Sequence, residues 1–137
     1  MSEPQAAKGK KILVLDDEPH VVTYLETLLR DNGYETASAS NGKEGMEKVK
    51  SEPVDLVCLD ISMPEQSGVR FYRNLKDDPQ LSEIPVLIVT AVTGYGGDPD
   101  LFRRFISTRK QVPPPDGFLS KPIDKQEFLD AVAAILS

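Results

Sequence analysis

Short apolar runs alternate with segments of helical periodicity from residue 11 to the end of this chain. The first run, Lys11 to Leu15, stops at Asp16-Asp17. Pro19 then suits the first turn of a helix, where its missing N–H would have had no partner. Val22, Leu25 and Leu29 recur at helical spacing, widened by Val21 and Leu28, and Asn32-Gly33 is a stop signal. Tyr34 to Ala39 predicts a second strand, rich in small residues and so placed at a sheet edge. Asn41-Gly42 opens a helix carrying Met46 and Val49, which Pro53 closes. Val54 to Leu59 is a near-continuous apolar run, the mark of a strand covered on both faces, and it stops at Asp60. A helix over 68–76 carries Val69, Tyr72 and Leu75 on one side. A fourth strand over 84–89 runs into Thr90. A helix over 101–109 has Leu101, Phe102, Phe105 and Ile106 as its stripe, and Gly117 to Ser120 is a short fifth strand before Lys121-Pro122. Asp124 is placed to cap a last helix, with Glu127 three residues on and Phe128, Val132, Ile135 and Leu136 facing inward.

Five strands alternating with helices predict an α/β fold, a doubly wound parallel sheet with helices on both faces. Right-handed crossovers leave few topologies. The flavodoxin-like order 2-1-3-4-5 is one of the two common solutions, and it sets the first and third strands side by side at the centre.

The 137 residues fit one domain and suffice for a sizeable core. A net charge of −6 disfavours both sequence-independent nucleic-acid binding and an anionic membrane surface. Cys58, the single cysteine, excludes an internal disulfide and fits a reducing compartment. No apolar stretch is long enough to span a bilayer, and the polar start lacks an apolar signal core. Residues 1–10 are read as a flexible lead-in and the protein as cytoplasmic. Cys58 is expected to be an inert core residue, and His20 a surface residue with no second histidine to share a metal.

The strand-end residues carry the chemistry. In such a sheet Asp16, Asp17, Asp60, Thr90 and Lys121 would meet at the carboxyl edge, where ligands of open α/β sheets bind. Clustered carboxylates repel unless a cation sits among them. Oxygen ligands suit Mg²⁺, which takes one or two protein carboxylates plus phosphate oxygens. One aspartate then remains as a nucleophile able to form an aspartyl phosphate. Lys121 adds positive charge, and the Thr90 hydroxyl can donate to a phosphoryl oxygen.

Four segments together resemble the receiver domain of two-component response regulators: Ile12-Leu13-Val14-Leu15-Asp16-Asp17-Glu18-Pro19, Leu59-Asp60-Ile61-Ser62-Met63-Pro64 with Gly68, Val89-Thr90-Ala91, and Phe118-Leu119-Ser120-Lys121-Pro122. The resemblance runs from about Lys11 to the end, which makes 11–137 the receiver domain. It implies that Asp60 is the phosphoacceptor and that Asp17 is the main acidic Mg²⁺ ligand, joined by Asp60 and the backbone carbonyl of Ser62. Asp16 would act nearby, partly through water. Lys121 would pair with the phosphoryl group, and Pro122 would follow a cis peptide that aims it. Thr90 would move toward the phosphate and Phe118 would rotate inward behind it as the switch aromatic.

The implied function is a phosphorylation-dependent signalling switch, loaded by a sensor histidine kinase or phosphotransfer protein, that catalyses only its own phosphorylation and dephosphorylation. The chain stops after the last helix, so output is expected through a downstream protein or onward phosphorelay, with a homodimer as one further possibility and no direct nucleic-acid binding. One departure stands out. The stretch between Thr90 and Lys121 is longer than usual in the family, with Gly94 to Pro99, the basic residues Arg103, Arg104, Arg109 and Lys110, and Pro113 to Pro115. It motivates an alternative, a receiver-like binding module that is not phosphorylated. A haloacid-dehalogenase-type phosphohydrolase is the other alternative, but that class has two aspartates one residue apart, and here they are adjacent.

Overall fold

A computed structural model describes residues 9–61, 67–91 and 115–137, with Ser67, Thr90 and Ala91 described by backbone alone. The helix expected over 101–109, its flanking glycine and proline segments, and Ser62 lie outside the described residues.

Five strands, β1 (Lys11–Leu15), β2 (Glu35–Ala39), β3 (Leu56–Leu59), β4 (Val86–Ala91) and β5 (Gly117–Lys121), form one parallel sheet in the order β2-β1-β3-β4-β5. Among the described residues the helices are α1 (Pro19–Asp31), α2 (Gly42–Ser51), α3 (Ser67–Asp77) and α4 (Lys125–Leu136). The doubly wound order read from the sequence is the one observed. None of these helices is long and apolar enough to cross a membrane.

The strands sort by how completely they are covered. In β1 and β3 every residue from Ile12 to Leu15 and from Leu56 to Leu59 is buried, so these two central strands tolerate no polar side chain until they end. β2, with the sequence Glu-Thr-Ala-Ser-Ala, is mostly half-exposed and lies at the sheet edge. Two apolar layers cover the faces. On one, Val49 of α2 and Phe71, Tyr72 and Leu75 of α3 pack on Leu13, Leu15, Val57, Leu59 and Ile88. On the other, Leu25, Leu28 and Leu29 of α1 and Phe128 and Val132 of α4 pack on Ile12, Val14, Leu56, Cys58 and Val89. Successive strand residues alternate between the layers, as pleating requires.

Helix ends are set by local chemistry. Gly33 takes the left-handed region (φ 92°), and the N–H of Tyr34 bonds the Leu29 carbonyl at 3.1 Å to close α1. The Asn41 side chain accepts the Glu44 N–H at 2.8 Å, while the Glu44 carboxylate accepts the Ser40 N–H at 2.7 Å. Asp124 caps α4 through the Glu127 N–H at 2.8 Å.

Two strands begin later than their apolar runs. Before β3, the Asp55 carboxylate accepts the Lys11 N–H at 2.8 Å and the Asp55 N–H bonds the Lys11 carbonyl at 2.8 Å. The ladder therefore starts at Leu56. Before β4, Ile84 closes a turn onto Leu81, and Pro85 has no N–H to give a ladder. β4 also runs on through Thr90 to Ala91, which lies opposite Lys121.

Candidate functional site

Register brings the site together. Leu15 lies opposite both Ala39 and Leu59. The next residues continue that pairing: the Asp16 N–H bonds the Ala39 carbonyl at 3.2 Å, and the Asp60 N–H bonds the Leu15 carbonyl at 3.0 Å. Asp16 and Asp60 thus emerge side by side at the carboxyl edge of the two central strands. Both are only 3% exposed, and they are the buried charged residues among those described. Asp17 follows on the exposed side of the turn.

Asp16 is held at both oxygens. Its Oδ1 accepts the Glu18 N–H at 2.9 Å, and its Oδ2 faces Lys121 Nζ at 3.0 Å. Lys121, the last residue of β5, reaches across the edge to lie 3.2 Å from Glu18 Oε1 and 3.5 Å from Asp60 Oδ2. The Lys121–Pro122 peptide bond is cis. Gly68 supports the Asp60 side of the cluster. In the first turn of α3 it presses on the backbone of Asp60, and a Cβ there would overlap the Asp60 carbonyl oxygen and stand 2.8 Å from Ile61 Cα. No larger residue fits without moving Asp60.

The electrostatics follow from burial. Asp16 has its pKa pushed up to about 6, chiefly by removal from water and then by the charge of Asp60; the Glu18 N–H and Lys121 oppose the shift without cancelling it. Burial works against the charge of Lys121, but Asp60 and Asp16 outweigh it, so the ammonium is held above the ordinary lysine range. One ammonium does not neutralise so many carboxylates. Oxygens of Asp16, Asp17 and Asp60 all lie within 4.8 Å of one another, and this all-oxygen donor set fits a hard divalent cation.

Of the residues singled out in the sequence, Asp16, Asp17, Asp60 and Lys121 come together here. The Thr90 backbone lies at the same edge, paired with Ser120. Phe118 packs, half-buried, against the layer under α2 and α3. Cys58 is buried, with its thiol pushed up to about 12 by burial, and His20 is exposed. Sequence reasoning passed over Glu18, whose contact with Lys121 spans 103 positions of chain. Its place directly after the aspartate pair was the one available signal.

The chain matches the family model of the response regulator receiver domain over residues 12–133. It is 30% identical over 127 residues to the polar-differentiation response regulator DivK of Brucella anthropi, covering 93% of this chain and 96% of that protein. It is 32% identical over 128 residues to the alkaline phosphatase synthesis transcriptional regulatory protein PhoP of Bacillus subtilis, covering 93% of this chain but only 49% of PhoP. Among solved structures, a putative response regulator from Chloroflexus aurantiacus superposes with a TM-score of 0.79 at 26% identity, covering 94% of this chain and 98% of that one. The signal receiver domain of a signal transduction histidine kinase from Syntrophus aciditrophicus gives 0.77 at 29% identity, covering 93% and 90%. With the family's fold, its order of strand-end motifs and a match over nearly the whole chain, this protein belongs to the response regulator receiver domains of two-component signalling.

Proposed function

We propose that this receiver is a phosphorylation switch in which Asp60 takes a phosphoryl group from a phosphohistidine of a sensor kinase or phosphotransfer protein. The observation that carries the reading is the convergence of Asp16, Asp17, Asp60 and Lys121 on one sheet edge. Asp60 follows the last residue of β3, beside Asp16 and 3.5 Å from Lys121, at the place where the family resemblance puts the acceptor. An Asp60 carboxylate oxygen attacks phosphorus, a new O–P bond forms, the P–N bond to the donor imidazole breaks, and its electron pair stays on the leaving nitrogen. Lys121 moves its ammonium from the carboxylates to the phosphoryl oxygens. Asp17, with Asp60, the Ser62 carbonyl and Asp16 at the margin, would hold a Mg²⁺ ion, which supplies positive charge against the phosphoryl oxygens. Hydrolysis returns the carboxylate and inorganic phosphate, so turnover is confined to the protein itself.

Thr90 and Phe118 are the switch pair in this reading. Thr90 donates its hydroxyl to the phosphoryl group, and Phe118 turns toward the space that Thr90 leaves. The receiver unit is residues 11–137, the setting is the cytoplasm, and output runs through a protein partner rather than through direct contact with nucleic acid, in keeping with the net charge of −6.

The test is intact-mass analysis after incubation with acetyl phosphate and Mg²⁺, and again with a phosphohistidine donor. The wild type gains one phosphoryl group and Asp60→Asn gains none. A wild type left unmodified by both donors would sink the reading in favour of a receiver-like binding module.

A further inference from the structure

Lys121 is the only positive group described in the cluster, and three carboxylates share it: Asp16 at 3.0 Å, Glu18 at 3.2 Å and Asp60 at 3.5 Å. An ammonium has three N–H donors, of which Asp16 and Glu18 take two by hydrogen bonds while Asp60 adds an ion pair, so a phosphoryl group that engages Lys121 competes with these partners. The three are not equivalent. Asp16 and Asp60 are 3% exposed, and without a cation each would be left charged out of water. The Glu18 side chain is 60% exposed, and water can solvate it once it lets go. Glu18 is also the one of the three outside the trio able to hold a metal.

A second observation singles out the same residue. Glu18 occupies the N-cap position of α1 with extended backbone (φ −100°, ψ 110°), yet its side chain makes no capping hydrogen bond. Ser, Thr, Asp and Asn at this position ordinarily spend their side-chain oxygen on the first turn, which leaves the longer Glu side chain available for other contacts. Glu18 instead gives its N–H to Asp16 and its carboxylate to Lys121. Pro19 keeps the preceding backbone extended, so the carboxylate is carried on a stiff segment rather than on a loose loop.

We propose that Glu18 is a positioning residue that retains Lys121 in the resting site and competes with the incoming phosphoryl group for its ammonium. The inference rests on the phosphorylation reading above. Removing the competitor frees Lys121, so the site accepts a phosphoryl group more readily.

The test compares wild type, Glu18→Gln and Glu18→Asp. Binding of beryllofluoride, a tetrahedral phosphoryl mimic, is titrated in the presence of Mg²⁺, and the rate of labelling by acetyl phosphate is measured in parallel. Glu18→Gln is expected to bind the mimic and to be labelled about two- to fivefold better, the scale of a solvent-exposed ion pair. Glu18→Asp keeps the charge but is one methylene too short for the contact, and is expected to follow Glu18→Gln. An Asp variant that tracks the wild type overturns the proposal, because the effect would then come from charge alone. A Gln variant equal to or weaker than wild type overturns it too. Melting of the metal-free proteins supplies a readout free of phosphoryl chemistry: a double-mutant cycle with Lys121→Gln is expected to show coupling between positions 18 and 121, and zero coupling counts against the latch. A wild type that binds no mimic and takes no phosphoryl group fails at the level of the parent reading and removes the latch with it. A wild type that responds normally while the variants do not differ from it removes the latch alone.

Discussion

Asp16 sits in the fold at an electrostatic disadvantage, because burial and the neighbouring Asp60 lift its pKa to about 6 from an ordinary 3.8. The folded state therefore binds this proton more tightly than the unfolded chain does. The stability this group contributes is fully present below about pH 4, is lost as pH rises through about 6, and is absent at pH 7. Metal-free protein is accordingly expected to gain stability from this group as pH is lowered from 7 toward 5. Asp16→Asn removes the charge and keeps an oxygen for the Glu18 N–H, at the expense of one Lys121 partner. It is expected to raise the metal-free stability at pH 7 by about 1–2 kcal/mol, roughly half of what such a shift allows, and to flatten the pH dependence between 5 and 7. Urea denaturation at several pH values checks both, and an Asn variant less stable than wild type at pH 7 would show that the Lys121 pair outweighs the cost of burial. The same balance explains what could be read in advance. Asp16 and Asp60 announced themselves by ending the stretches Ile12 to Leu15 and Leu56 to Leu59, all of whose residues are buried. Glu18 did not, since an exposed acid after a strand looks like any solvated turn until Lys121 is placed beside it.

At the scale of elements, boundaries were less legible than identities. The runs that became β1 and β3 stood out because both faces of these strands are covered, whereas β2 is a half-exposed edge strand whose small residues gave a weaker signal. The start of β3 was misplaced by two residues because Asp55 docks on Lys11 through both backbone and side chain, and a long-range pair of that kind leaves no local trace. The amphipathic stripe of α1 placed Leu25, Leu28 and Leu29 inside but said nothing of its outer edge. There Tyr24, 44% exposed, stands as the large exposed apolar side chain among the described residues. With His20, Val21, Pro122 and Ile123 it lines an opening of about 260 Å³ that reaches Lys121. Under the proposed phosphorylation of Asp60, a protein donor would have to approach this edge, and Tyr24 would offer it apolar area that a small donor does not use. Tyr24→Ala is therefore expected to slow transfer from a phosphohistidine protein several-fold while leaving labelling by acetyl phosphate unchanged. Equal loss with both donors would mean that the substitution disturbs the site itself, and no loss with either would remove α1 from the docking surface.

At the scale of the whole molecule, the site and the centre of the sheet share the same strands, so occupancy of one should be felt by the other. Cys58 lies two residues before Asp60 in β3, paired with Val14 and Leu87, and is 2% exposed. Its thiol, pushed up to about 12 by burial, is almost wholly protonated at neutral pH and lies in the apolar layer that α1 and α4 pack onto the sheet. Alkylation of Cys58 thus requires this layer to open, and its rate reports the population of the open state when closing is fast. Where that opening is global unfolding, a cation bound by Asp16, Asp17 and Asp60 stabilises only the closed form, because unfolding separates the carboxyl ends of β1 and β3 that carry them. Mg²⁺ at ten times its dissociation constant is then expected to slow iodoacetamide labelling by about tenfold, the factor 1 + [L]/Kd set by linkage. Asp17→Asn, which removes an exposed carboxylate without touching the core, should keep the metal-free labelling rate and lose most of the protection. Labelling that ignores Mg²⁺ in the wild type, while global stability measured by urea denaturation is equally unmoved by Mg²⁺, would mean that the three carboxylates do not act as one cation site. Protection that survives in Asp17→Asn would instead place the ion on the buried pair, Asp16 and Asp60, and leave Asp17 outside the metal's ligands.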